Sequence, residues 1–144
     1  MPIPDFVRDL RRHIGTAELW LPGVTAVVRR GADVLLVQRS DTGEWAPVTG
    51  IVDPGEDPGV AARREVLEET GVGGRLLREL DGDSYTDRKG RPKQVRWWLM
   101  QPVAIDVREP DDEVDEVRWV PLDEAEALLS YAHDRSLVAA LVDA

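Results

Sequence analysis

The sequence predicts an α/β sandwich built on a central mixed β-sheet, and three observations carry that prediction. Short apolar runs rich in β-branched residues are interspersed with segments of helical periodicity, the pattern of a sheet covered by helices. Two of the runs, GVTAVV and DVLLVQR, are separated only by the turn RRGA, which calls for an antiparallel hairpin. Other runs are separated by a helix long enough to cross over the sheet, so parallel pairing is expected as well.

Each element has its own justification. A first helix is expected at about Pro4 to Ile14, where Phe6, Val7, Leu10 and Ile14 recur at helical spacing. VTAVV and VLLV are almost unbroken apolar runs, as in strands buried on both faces, and Gly31 supplies the turn between them. DTGEWAPVTG reads as a loop followed by a short strand. The helix from Pro58 to about Thr70 has clear ends: Asp57 as N-cap, Pro58 at the first helical position and Gly71 just past the last. GRLLRELDGDSYTD reads as a strand that gives way to an exposed loop. In KQVRWWLMQPVAIDV, Val95, Trp97 and Leu99 alternate with Arg96, Trp98 and Met100, a strand with two unlike faces. REPDDEVDE is an acidic loop and EVRWVPL a short strand. Asp123, with Glu126 three positions on, resembles a capping box before EAEALLS. A last helix is expected from roughly His133 to Leu141. No internal repeat or linker interrupts the chain, so residues 1–144 are expected to form one domain that includes the helix at 4–14.

Composition excludes several functions. The chain has 144 residues, 42% hydrophobic and 32% charged, an ordinary globular balance. It has no cysteine, which removes disulfides, thiolate metal sites and cysteine nucleophiles, and its two histidines, His13 and His133, are too far apart in sequence to suggest zinc. A formal charge of −10 argues against a nucleic-acid polymer as partner, because phosphate backbones need a basic surface. The opening MPIPDFVRDLRRHIG lacks the continuous apolar core of a signal peptide. No apolar run approaches the roughly 18 residues of a membrane span. The expectation is a cytoplasmic protein.

The chemistry concentrates in GIVDPGEDPGVAARREVLEETGV, Gly50 to Val72. On the helix, Glu65, Glu68 and Glu69 are related as i, i+3 and i+4 and share one face, with Ala61 a turn earlier on the same stripe. Val60 and Leu67 fall on another side, suited to packing on a sheet. A solvated acidic face, with Arg64 paired to Glu68, would also explain the pattern, because Glu65–Glu69 repulsion costs only roughly 0.2–0.5 kcal/mol. The preceding loop, GIVDPGEDPG, decides otherwise. Its three glycines and two prolines let backbone carbonyls approach the glutamates, giving the all-oxygen donor set that hard cations such as Mg²⁺ prefer.

This stretch resembles the Nudix box, G-x5-E-x7-R-E-U-x-E-E-x-G-U with U a bulky aliphatic. Gly50, Glu56, Arg64, Glu65, Val66, Glu68, Glu69, Gly71 and Val72 fill its defined positions. The order of strands and helices around it is also similar to the Nudix fold, an α/β/α sandwich. Thr49 departs from the pattern, standing where many members have a second glycine. The resemblance implies a hydrolase that cleaves a phosphoanhydride in a nucleoside diphosphate linked to another moiety, with Mg²⁺ or Mn²⁺ as cofactor. It implies Glu65, Glu68 and Glu69 as metal ligands and catalytic residues, the Gly50 carbonyl as a further ligand, and Glu65 or Glu69 as base. Glu56 and Arg64 would pair and fix the loop on the helix.

Members often add a later carboxylate, for which Glu113 is favoured and Glu116 comes next among Asp111, Asp112, Glu113, Asp115 and Glu116; a solvated loop is the alternative. Arg39 is a candidate phosphate donor or a surface ion pair. Trp20, Trp45, Tyr85, Trp97 and Trp98 are candidates to stack on a base, one at most. Asp83, Tyr85, Arg88 and Lys93 are expected to border the pocket. The tail, EVRWVPLDEAEALLSYAHDRSLV, looks like that of MutT-type and diadenosine polyphosphate hydrolases, so the expected substrate is a (d)NTP or related nucleotide, with dinucleoside polyphosphates and ADP-ribose as alternatives. A non-catalytic nucleotide-binding regulator is the alternative class, and the intact box weighs against it. The N-terminal helix is a candidate homodimer surface.

Overall fold

The computed structural model describes residues 4–16, 22–86, 92–105 and 114–142. In chain order it contains α1 (Asp5–Ile14), β1 (Gly23–Arg30), β2 (Asp33–Arg39), β3 (Trp45–Ala46), β4 (Val48–Ile51), α2 (Pro58–Thr70), β5 (Val72–Thr86), β6 (Pro92–Ile105), β7 (Val114–Pro121), α3 (Leu122–Leu128) and α4 (Ala132–Val142).

β1 organises the sheet. Its first half pairs antiparallel with β4, from Gly23 opposite Ile51 to Ala26 opposite Val48. Its other edge pairs parallel with β6, Gly23 to Val95 through Val28 to Met100. Its last residues, Arg29 and Arg30, turn through Gly31 into β2. β2 pairs antiparallel with β7 along most of its length and with β3 at its end, and β5 pairs antiparallel with β6. One parallel pairing among antiparallel ones makes the sheet mixed, as expected.

Helices cover both faces. Val24, Ala26, Val28, Leu35, Val37, Val48 and Met100 pack with Ala61, Ala62 and Val66 of α2. Val27, Val34, Leu36, Trp45, Trp97 and Leu99 pack on the other face with Leu122 and Ala125 of α3 and Val138 and Leu141 of α4. The alternation of side chains along each strand lets one run of apolar residues feed two cores. Among the described residues no helix is long and apolar enough to cross a membrane.

Several expectations need correction. The helix faces of α2 are not as the apolar pattern suggested: Val60 is 50% and Leu67 43% exposed, and the sheet is met instead by Ala61, Ala62, Glu65, Val66 and Glu69. The Asp123–Glu126 capping box does not form; α3 begins at Leu122 behind Pro121, with no side-chain cap. The strand after α2 does not yield to a loop at DGDSYT but continues to Thr86. There, register shifts at Gly73/Gly74, Leu76/Arg78 and Leu80/Asp83 let the long strand follow β6. The end helices differ by a residue from their expected bounds: Pro4 precedes α1, and α4 extends from Ala132 to Val142.

Candidate active site

The site is built around α2 and the bend that enters it. Asp57 caps the helix, its Oδ1 accepting from the N–H groups of Gly59 at 2.9 Å and Val60 at 3.4 Å. At the other end Gly71 adopts φ +77°, and its N–H donates to the Leu67 carbonyl at 2.9 Å, which stops the helix there. The helix is therefore held in register, with Glu65 about two turns and Glu68 and Glu69 about three turns past Asp57.

Arg64 joins the bend to the helix. Its Nε and Nη2 donate to both Glu56 oxygens at 2.9 and 3.0 Å, a bidentate pair. Nη2 also reaches the Ile51 carbonyl at 3.2 Å, and Asp53 lies 3.6 Å away. Nη1 donates to Glu65 Oε1 at 3.0 Å and to Glu68 Oε2 at 3.3 Å. Glu56 is fixed a third time, accepting from the Asp53 N–H at 3.2 Å. The Arg64 guanidinium and the Asp53 N–H hold the Glu56 carboxyl below the usual range, and its partners raise the Arg64 pKa in turn.

Glu65 and Glu69 are buried, at 4% and 8% exposure, on the face of α2 that meets the sheet. Burial pushes the Glu65 carboxyl up, against the opposing pull of Arg64. Gly50, at the middle of β4, lies directly against Glu65: a Cβ there would collide with the side chain, with Oε1 at 2.7 Å. The glycine is needed for close approach, since its φ is not positive. Glu68 has 59% of its side chain exposed and stands at the rim, tied to Glu65 through Arg64.

Beyond Glu69 the surface dips into a depression lined by Val37, Arg39, Ala46, Pro47, Thr49, Glu69 and Val114. Arg39 feels the charge of Glu69, although its closest partner is Asp41, to which it donates twice at 3.1 Å. Thr49, the departure from the expected pattern, thus borders the same depression as Glu69. A wider depression of about 430 Å³ beside Arg29, Arg30 and Val103 has no carboxylate in its lining. It therefore offers no acidic side chains to hold a cation.

The described residues contain no preformed cage of three or more acidic or histidine side chains. What they do present is two buried glutamates four residues apart, the β4 backbone pressed on one of them at Gly50, and a third glutamate at the edge. Arg64 compensates Glu65 on one side, and a divalent cation would add positive charge for the pair. The oxygen-only donor set suits a hard divalent cation, so the residues fit one.

The structure brings Gly50, Glu56, Arg64, Glu65, Glu68 and Glu69 together and sets Arg39 beside them. Glu113, Asp111 and Asp112 lie outside the described residues, as do Trp20 and Arg88. β7 enters at Val114, on the rim of the Glu69 depression. Glu116 pairs with Arg118 at 2.9 Å. Trp45 and Trp97 belong to the core on the α3–α4 face, and Trp98 packs half-buried on the other. Asp83, Tyr85 and Lys93 fall on β5 and β6, where only their backbone register is described. Sequence reasoning missed Glu44 and Tyr131. The phenol of Tyr131 donates to the Glu44 carboxylate, across the loop from Arg39. No periodicity or spacing links positions 87 residues apart.

Known proteins resemble this chain in sequence and in fold. A family model described as NUDIX domain matches residues 19–141. An 8-oxo-(d)GTP phosphatase of Mycolicibacterium smegmatis is 35% identical over 131 residues, covering 91% of this chain but only 37% of that protein. A bis(5′-nucleosyl)-tetraphosphatase (asymmetrical) of Rattus norvegicus is 40% identical over 99 residues, 65% of this chain and 67% of the relative. Among solved structures, a Caenorhabditis elegans Ap4A hydrolase binary complex superposes with a TM-score of 0.73 at 29% identity, over 85% of this chain and 96% of that one. A NUDIX hydrolase from Nitrosomonas europaea superposes with a TM-score of 0.77 at 23% identity, over 87% and 90%, a likeness of fold.

Proposed function

The chain belongs to the Nudix family, and from that premise we propose that it is a metal-dependent pyrophosphohydrolase acting on a (d)NTP or related nucleotide, with residues 1–144 working as one domain. The observation that carries the reading is the buried Glu65–Glu69 pair, with Glu65 pressed against Gly50 and steadied by Arg64. A structural ion-pair network would not need two carboxylates drawn into the sheet-facing side of a helix.

In this reading Glu65, Glu68, Glu69 and the Gly50 carbonyl hold Mg²⁺ or Mn²⁺. Such ions, when bound, neutralise polyphosphate charge and lower the pKa of a bound water. Arg64 orients Glu65 and Glu68 and keeps the bend at 50–56 closed on the helix through Glu56. Glu65 or Glu69 accepts the proton of the attacking water as its oxygen bonds to phosphorus and the anhydride oxygen leaves. Arg39, beside Glu69, offers paired N–H donors to a phosphate. The relatives named for 8-oxo-(d)GTP and for bis(5′-nucleosyl) tetraphosphates support a nucleotide carrying a run of phosphates.

The test is a panel of 8-oxo-dGTP, dGTP, ATP, diadenosine tetraphosphate and ADP-ribose with Mg²⁺, products identified by mass. At least one should be cut at a phosphoanhydride by the wild type. Glu69→Gln should slow that turnover by about a hundredfold or more with an unchanged melting temperature. Binding without turnover across the panel would show a nucleotide-binding regulator instead.

A further inference from the structure

We propose that Tyr131, through its hydrogen bond to Glu44, is a positioning residue that sets Arg39 at the mouth of the Glu69 depression; this rests on the reading of that site as a polyphosphate site. The two partners come from distant elements. Glu44 closes the turn that follows β2, and Tyr131 stands at the junction between α3 and α4.

The turn itself is short and exposed. Its ends are bonded backbone to backbone: the Arg39 N–H donates to the Glu44 carbonyl at 2.9 Å, and the Gly43 N–H to the Arg39 carbonyl at 2.8 Å. Arg39 and Glu44 are therefore opposite legs of one loop, and whatever holds Glu44 holds the root of Arg39. The residues between them, Ser40 to Gly43, are all exposed, and side chains tie the loop where Gln38 Nε2 donates to the Gly43 carbonyl and the Glu44 N–H to Thr42 Oγ1, each at 3.2 Å.

The brace comes from the α3–α4 junction. The Trp45 N–H donates to Ser130 Oγ at 3.1 Å, and the Ser130 N–H donates to the Trp45 carbonyl at 3.3 Å. The Tyr131 hydroxyl then donates to Glu44 Oε2. The junction is anchored from behind, since Arg135 Nη1 donates to the Leu129 carbonyl at 3.1 Å and Leu129 is buried. Helices α3 and α4, which sit across the sheet from α2, thereby reach round to the loop that carries Arg39.

Arg39 is the functional end of this chain of contacts. It lines the depression with Glu69 and feels the charge of Glu69. Its bidentate clasp on Asp41 keeps the guanidinium extended along the loop until a phosphate competes for the same two donors. Tyr131 bonds Glu44 across the loop from Arg39, so its role is exerted through the loop. Loosening the brace should weaken phosphate capture while sparing the chemical step.

The experiment compares Tyr131→Phe, Glu44→Ala and Glu44→Gln with wild type, using inorganic tripolyphosphate as a competitive inhibitor of the best-cleaved nucleotide of the panel. Amide hydrogen exchange over 39–45 is measured on the same proteins. Tyr131→Phe and Glu44→Ala should raise KM and the tripolyphosphate inhibition constant by about fivefold, with kcat within about twofold, as expected for one lost hydrogen bond. Exchange at 40–44 should quicken, and Glu44→Gln, which keeps an acceptor, should behave as wild type. In an Arg39→Ala background Tyr131→Phe should have no further effect on the inhibition constant. Unchanged exchange in Tyr131→Phe would overturn the proposal, as would faster exchange with unchanged tripolyphosphate binding, or an additive loss in the Arg39→Ala background. The exchange measurement needs no turnover, so a wild type that cleaves nothing would defeat the functional reading and leave the brace itself tested.

Discussion

At the scale of single residues, the site turns on where atoms are absent as much as on where charges are present. Gly50 has no Cβ because the Glu65 carboxylate occupies that space. Glu65 cannot retreat easily: it is 4% exposed, and Arg64 holds it from the other side at 3.0 Å. Gly50→Ala should therefore displace Glu65, cost about 1–3 kcal/mol as an overpacked core site does, and lower turnover by about tenfold or more. Thermal unfolding and steady-state rates check both parts; full activity with normal stability would show that the Gly50–Glu65 approach is incidental. The nine defined positions of the box, Gly50 to Val72, were legible through their resemblance to the Nudix box, while the shared face of Glu65, Glu68 and Glu69 followed from helical spacing alone. Tyr131 and Glu44 were not legible, because their partnership exists only once α3 and α4 have packed and brought the junction to the loop.

At the scale of elements, α2 shows why a helix pattern read from sequence alone misassigned its faces. The apolar Val60 and Leu67 stay outside and two glutamates go in, contrary to the ordinary ordering of burial. Small residues make this tolerable: Ala61 and Ala62 let the helix lie close to the sheet, and Val66 supplies the apolar contact between the glutamates. A local rule broken in this way is expected where function, not stability, selects the residue. The ends of α2 were legible because capping is local chemistry, and Asp57 and Gly71 act as their residue types require. Asp57→Ala should remove the cap, lowering stability by about 1 kcal/mol with a smaller effect on kcat than Glu69→Gln. Chemical denaturation checks it, and an unchanged midpoint would show the cap to be redundant with Pro58. The length of β5 was illegible for the opposite reason. Asp81, Gly82 and Ser84 carry turn propensity, yet pairing with β6 extends the strand through Thr86, since strand formation depends on the partner more than on the residue.

At the scale of the whole molecule, the mixed sheet gives one scaffold two faces with separate tasks. One face seats α2 and its carboxylates; the other seats α3 and α4, which brace the Arg39 loop from behind. The hairpin, the crossover helix and the two cores were legible because they follow from apolar periodicity and chain connectivity. Which residues complete the site from the edges depends on how those layers meet. The central claim is that α2 and the bend before it grip divalent cations. It is tested most directly by titrating Mn²⁺, followed by paramagnetic resonance, into the wild type and a Glu65→Gln/Glu69→Gln double variant, each with and without a non-hydrolysable nucleotide. The expected result is saturable Mn²⁺ binding by the wild type, strengthened by the nucleotide, and binding weaker by about tenfold or more in the folded double variant. Equal Mn²⁺ binding by the two proteins, or none by the wild type even with nucleotide present, would contradict it.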